Sequence, residues 1–133
     1  MNSLLIKNAN VVLPDEVKLT SVLIDDGIIS AIGYQGKAER EIDAKGNYLL
    51  AGFIDIHVHG GGNKSAMSTN YRDIIDMAEA HLKHGTTSIV PTTLASPISQ
   101  LKDVTLSIKE ASENGTYKID SNKLAEAILK SLR

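Results

Sequence analysis

Apolar and polar residues alternate in short runs over the opening of the chain and recur at three- and four-residue steps further on. Leu4 to Ile6 and Val11 to Leu13 are β-prone, and Pro14-Asp15 behind them is turn chemistry, which predicts a strand-turn-strand start. Ser21 to Asp25 and Ile28 to Ile32 flank Asp26-Gly27, a pair that favours the positive φ angles of a tight hairpin. Gly33, Gly36 and a charged stretch from Lys37 to Asp43 loosen the pattern before strand character returns from Asn47 to Val58. The opening therefore reads as a small all-β unit, near the lower size limit for a core of its own.

From Tyr48 the order becomes strand, Gly-rich loop, helix, strand, helix, the alternation that builds a parallel sheet with covering helices. Thr69 or Asn70 caps the first predicted helix, Ile74, Ala78 and Leu82 share one of its faces, and Gly85 stands where its C-terminal cap would end it. Thr86 to Val90 is β-branched and mostly apolar, with Pro91 closing it, as a buried strand requires. Ser96-Pro97 places an N-cap ahead of a proline at the first helical position, and Ile98, Leu101, Thr105 and Ile108 form the expected inner stripe up to Asn114-Gly115. Ser121 then caps a last helix carrying Leu124, Ile128 and Leu132.

Charge and composition narrow the partners. Among 133 residues, 16 acidic side chains face 14 basic ones without a dense Lys/Arg block, so neither nucleic acid nor an anionic membrane surface is an expected partner. The longest nearly apolar stretch, Tyr48 to Ile54, is broken by Gly52 and falls short of the roughly 20 residues that cross a bilayer. Met1-Asn2-Ser3 leads into a strand without a basic n-region or apolar h-region, so no secretory signal is read and the cytoplasm is the expected location. The absence of Cys removes disulfides and thiolate zinc sites, leaving His and carboxylates as metal ligands.

Candidate chemistry concentrates in Gly52-Phe53-Ile54-Asp55-Ile56-His57-Val58-His59-Gly60-Gly61-Gly62. On a strand, Ile54, Ile56 and Val58 point one way and Asp55, His57 and His59 the other, so both imidazoles share a face. Two strand positions rise about 6.6 Å, and rings leaning together bring their nitrogens to about 2.0 to 2.1 Å from one ion. Asp55 is placed to orient an imidazole, and the glycine triplet lets backbone approach a ligand. Two His at this spacing also arise by chance on a half-exposed strand, and a metal needs further ligands; the acidic neighbour and the triplet favour the metal. His81 and His84, three apart on the predicted helix, could chelate but read more simply as solvated, and Thr92, Thr93 and Ser96 as turn and cap residues. No catalytic residue emerges: there is no Ser-His-Asp arrangement, and the triplet lacks the Lys-Ser/Thr of a phosphate-binding loop.

Leu50 to Gly62 resembles the first barrel strand of the amidohydrolase superfamily, and with Ala80-His81-Leu82-Lys83-His84-Gly85-Thr86-Thr87-Ser88-Ile89-Val90-Pro91-Thr92-Thr93-Leu94 the chain resembles the N-acetylglucosamine-6-phosphate deacetylase family over residues 3 to 112. The resemblance implies an α/β fold: a small β-sandwich segment over 1–48, a partial TIM barrel of two βα units over 49–115, and a C-terminal helical tail over 116–133. It implies one or two divalent ions, zinc or iron, with His57 and His59 as ligands, and an amino-sugar phosphate as substrate of the complete enzyme, hydrolysed to glucosamine 6-phosphate and acetate. The family's glutamate ligand, two later histidines and catalytic aspartate have no counterpart here, and the residues after the β-rich start are too few for a barrel of about 250 residues. The expectation is therefore that this chain alone does not deacetylate. A dihydroorotase or hydantoinase is the other enzymatic reading. Ile108 to Leu129 resembles the C-terminal helical segment of an anti-sigma-28 factor, which implies a sigma factor as partner; a truncated, incidentally amphipathic end is the competing reading. Elements built for a barrel interior but lacking partners leave apolar surface, so self-association or a homo-oligomer is expected.

Overall fold

The computed structural model describes residues 3–114. The expected tail helix from Ser121, and residues 115–129 of the segment compared with an anti-sigma factor, lie outside them. No helix among the described residues is long and apolar enough to cross a membrane. The chain divides into two compact units, one through Ala51 and one from Gly52.

In the first unit β1 (Ser3–Val12), β2 (Val17–Asp25), β3 (Ile28–Ile32), β4 (Arg40–Asp43) and β5 (Tyr48–Leu49) form one mixed sheet in the order β3-β2-β1-β4, with β5 beside the later half of β1. The hairpins from β1 through β3 are antiparallel, whereas β4 and β5 run parallel to β1. The two short runs expected at the start are a single strand. A bulge between Ile6 and Ala9 inserts one extra residue, with Asn8 at φ 54°, and this moves the inward phase from Leu4 and Ile6 to Ala9 and Val11. Leu13 N–H donates to the Glu16 carbonyl at 2.9 Å across the predicted Pro14-Asp15 turn, and Asp26 and Gly27 take φ 47° and 82° at the second hairpin. Leu4, Ile6, Ala9, Val11, Val22, Ile42 and Ala44 build the core. The described strands of this unit form one sheet, and Leu19, Ile28 and Ile29 on β2 and β3 are exposed.

The second unit contains β6 (Phe53–Val58), β7 (Gly60–Gly61), β8 (Lys64–Ser65), α1 (Tyr71–Leu82), β9 (Thr86–Pro91) and α2 (Ile98–Asn114). β6 and β9 pair in parallel, and α1 lies between them in sequence as the crossover that parallel strands require; β7 and β8 form a small antiparallel hairpin. Among the described residues this is a βαβα run, two βα units on a two-stranded sheet. Asn70 caps α1, its side chain accepting from Arg72 N–H at 3.2 Å. Lys83 is the C-cap, two residues before Gly85, whose φ of 92° turns the chain into β9. On the inner face of α1, Ile74, Met77 and Ala78 are buried, while Leu82 is 38% exposed, so the buried face centres on Met77.

The second helix departs further from its expected register. Leu101 N–H donates to the Pro97 carbonyl, so Pro97 holds the cap position and Ser96 stands one residue outside it. Val104, Ser107 and Ala111 are the buried positions, and Ile98 and Thr105 of the expected stripe are exposed. Small residues prevail on this face because they allow the helix to approach the cluster of Val58, Ala66, Ile74 and Met77, against which Ile108 also packs.

Candidate metal centre

Val58, 3% exposed, turns into the core shared with α1, so its neighbours His57 and His59 turn to the opposite, exposed face. Register between β6 and β9 slips by one residue between Asp55 and Val58, and Ile54 and Ile56, expected to share the inner face with Val58, are 71% and 75% exposed. Asp55 Oδ1 accepts the His57 backbone N–H at 3.1 Å within this irregular stretch. Asp55 therefore stabilises the backbone of His57 in place of the expected contact with an imidazole.

The two rings meet edge to face, with centroids 4.8 Å apart and planes inclined by 74°, and their Nε2 atoms are separated by 2.9 Å. His59 Nδ1 lies 2.9 Å from the Thr92 carbonyl oxygen. A carbonyl only accepts, so Nδ1 carries the hydrogen and His59 Nε2 presents a bare lone pair toward His57. The two Nε2 atoms lie within hydrogen-bonding distance, which requires one hydrogen between them. An ion would take the place of this hydrogen: two nitrogens 2.9 Å apart can both lie about 2.0 to 2.1 Å from one cation. The pair thus fits a divalent metal, and the Thr92 carbonyl supplies the partner on the far ring nitrogen that a metal-bound imidazole usually has. Among the described residues no group of three or more His, Cys, Asp or Glu side chains is gathered to complete such a site.

Thr92, expected as a turn residue, contacts His59 of the histidine pair and Val58, the strand residue between the two histidines. Its Oγ1 accepts Val58 N–H at 3.2 Å and donates to the Val90 carbonyl at 3.1 Å, and its N–H donates to the Val58 carbonyl at 2.7 Å. The residue therefore ties the end of β9 to the backbone of Val58, between the two histidines. Thr92 follows a predicted strand end, but a role exercised through a main-chain carbonyl leaves no mark in residue type. His81 also differs from its expected solvated state: its Nε2 stands 3.1 Å from the Gly60 carbonyl oxygen. His84 is exposed, as expected.

The loop after His59 is pinned by protein rather than opened toward a ligand. Ala66 N–H donates to the His59 carbonyl at 2.8 Å, and a Cβ at Gly60 would stand 2.7 Å from the Lys64 carbonyl oxygen, so the hairpin of β7 and β8 closes only over glycine. Lys64 Nζ pairs with Asp73 at 2.5 Å and Asp76 at 3.6 Å, and the Ser68 hydroxyl donates to the second Asp73 oxygen at 2.8 Å. The hydrogen bond from Lys64, then that from Ser68, holds the Asp73 carboxyl below its ordinary range, and Asp73 in turn raises the Lys64 ammonium. Asp73 in the first turn of α1 also meets the positive end of the helix.

No family model matches the chain. N-acetylglucosamine-6-phosphate deacetylase of Haemophilus influenzae is 34% identical over 100 residues, which are 72% of this chain and 26% of that protein. The Bacillus subtilis protein of the same name is 34% identical over 113 residues, 81% of this chain and 28% of its own length. Adenine deaminases and a dihydroorotase match as well. The crystal structure of N-acetylglucosamine-6-phosphate deacetylase from Pasteurella multocida superposes with a TM-score of 0.77 at 30% identity, covering 86% of this chain and 31% of that one. The chain thus spans about a quarter to a third of the length of these proteins. Over the matched residues it is homologous to N-acetylglucosamine-6-phosphate deacetylase and, more broadly, to the amidohydrolase superfamily.

Proposed function

We propose that this chain supplies the first two ligands, His57 and His59, of a divalent-metal centre in an amidohydrolase of the N-acetylglucosamine-6-phosphate deacetylase type. The observation that carries the reading is the convergence of the two Nε2 atoms at 2.9 Å with the His59 tautomer fixed by Thr92. A divalent ion bound there supplies Lewis acidity toward an acetamide carbonyl and a water of lowered pKa. The chain's own residues orient the ligands: Asp55 through the His57 backbone, Thr92 through the His59 ring, and the β7–β8 hairpin through the His59 carbonyl. The overall hydrolysis adds water across the amide C–N bond, giving acetate and the free amine of glucosamine 6-phosphate.

The deacetylase reading is preferred over a hydantoinase because the Pasteurella multocida structure superposes over 86% of the chain at a TM-score of 0.77, against 0.56 over 69% for a hydantoinase. Two imidazoles leave a divalent ion short of ligands and the reaction short of its base, so hydrolysis by this chain requires groups beyond the described residues. A chimera tests the reading: residues 3–112 replace the matched segment of the Bacillus subtilis deacetylase. Acetate release from N-acetylglucosamine 6-phosphate that is abolished by His57→Ala and by His59→Ala is expected. A folded chimera that loads zinc yet releases no acetate, or one unaffected by either substitution, overturns it. The isolated chain with zinc is expected to release none, and acetate release abolished by His57→Ala would refute that part.

A further inference from the structure

We propose that His81 is a positioning residue for the loop that carries His59, acting through Gly60 and Gly61; the inference rests on the metal-centre reading above. His81 belongs to the last turn of α1, where the helical pattern gives an imidazole no reason to be anything but solvated. Its ring instead reaches the loop after β6. Nε2 lies 3.1 Å from the Gly60 carbonyl oxygen, and since that oxygen only accepts, Nε2 carries the hydrogen. A Cβ at Gly61 would stand 2.6 Å from the same Nε2 and 2.9 Å from Cδ2. The imidazole therefore occupies the volume a side chain at position 61 would need, and ring and glycine form a matched pair.

The consequence reaches His59 through one peptide. The Thr92 carbonyl holds the His59 ring, Ala66 N–H holds the His59 carbonyl, and His81 holds the next carbonyl along, that of Gly60. Three contacts from the end of β9, the residue after β8 and α1 thereby fix two consecutive residues. Removing the His81 contact leaves the Gly60 carbonyl held only through the pairing of β7 with β8, and this loosening spreads the positions of His59 Nε2 relative to His57 Nε2. Partners outside the direct ligand set typically contribute about 10- to 100-fold to metal affinity. His81 is such a partner at one remove, so its loss is expected at the lower end of that range.

The test is Co²⁺ titration of the full chain followed by visible absorption, together with imidazole ¹⁵N spectra of the metal-free protein. In those spectra His81 is expected as the Nε2–H tautomer and His59 as the Nδ1–H tautomer. Folded His81→Ala should bind Co²⁺ about tenfold more weakly. His81→Gln, whose amide nitrogen can donate to Gly60, should recover most of that loss. Gly61→Ala should also weaken binding, and the double variant Gly61→Ala/His81→Ala should lose the clash without regaining affinity. Wild-type affinity in His81→Ala beside reduced affinity in His57→Ala overturns the positioning role and leaves the ligand pair standing. Unchanged affinity in both His57→Ala and His59→Ala overturns the pair itself. Should His81→Ala fail to fold, an Nδ1–H tautomer at His81 in the metal-free wild type is by itself enough to overturn the proposal.

Discussion

At the residue scale the account rests on where hydrogens sit. His59 offers its Nε2 lone pair because a main-chain carbonyl occupies Nδ1, and the Thr92 side chain contributes differently, through Val58 N–H and the Val90 carbonyl. Thr92→Val should therefore retain metal binding within a few-fold while lowering stability by about 1 kcal/mol for the lost hydrogen bonds, as thermal unfolding beside Co²⁺ titration will show. Gly60→Ala acts by crowding: its Cβ meets the Lys64 carbonyl at 2.7 Å, and overpacking of this kind costs about 1 to 3 kcal/mol. The imidazole spacing and shared face were legible in the sequence because strand alternation determines them. The partner of His59 was not, because a carbonyl 33 residues away belongs to every residue type alike. His81 was misread for a related reason: helical periodicity says which face a side chain leaves from, and not that a loop lies within its reach.

At the element scale, hairpins and helices announced themselves through turn and cap residues, whereas phase within them did not. Asp26-Gly27 and Asn70 were read where the structure uses them. The bulge at Asn8 escaped notice because a one-residue insertion exchanges one apolar alternation for another, which looks like two separate strands. In α2 the expected stripe is only partly the buried face: Ile98 and Thr105 are exposed, since close approach of a helix selects small residues such as Ser107 and Ala111. Met77, fully buried at the centre of the inner face of α1, should cost about 2 to 5 kcal/mol on replacement by Ala, measured by chemical denaturation. The Lys64–Asp73 pair predicts a pH signature. The lowered Asp73 carboxyl contributes stability above its ordinary pKa of 3.8 that is lost as pH falls through the depressed value in the folded state. The raised Lys64 ammonium contributes stability below its ordinary 10.5 that is lost as pH rises through the higher folded value. Asp73→Asn should accordingly lower the melting temperature modestly at neutral pH, with the difference from wild type vanishing as pH falls through the folded carboxyl's range and only shrinking as pH rises through the folded ammonium's, since Ser68 still donates to the carboxylate; a constant difference down to pH values below the folded carboxyl's range would contradict the pairing.

At the scale of the whole molecule, the second unit leaves large apolar side chains in water. Phe53, Ile54 and Ile56 on β6 and Val90 on β9 are each more than half exposed, and among the described residues β6 and β9 form a sheet of only two strands. Such surface favours self-association. Light scattering of the purified chain should show mass rising with concentration, and Ile54→Ser/Ile56→Ser should reduce that rise; a monodisperse monomer unaffected by the substitutions would show that the surface is tolerated. The amidohydrolase kinship was legible from the motif, whereas the extent of the sheet was not, because strand count depends on pairing that no local pattern records. The central claim is that one cation sits between two imidazoles, and X-ray absorption on the zinc-loaded chain tests it most directly. The account predicts two imidazole nitrogens at about 2.0 to 2.1 Å around zinc, falling to one in His57→Ala and in His59→Ala. A zinc shell without imidazole scattering, or one that neither substitution alters, would contradict it.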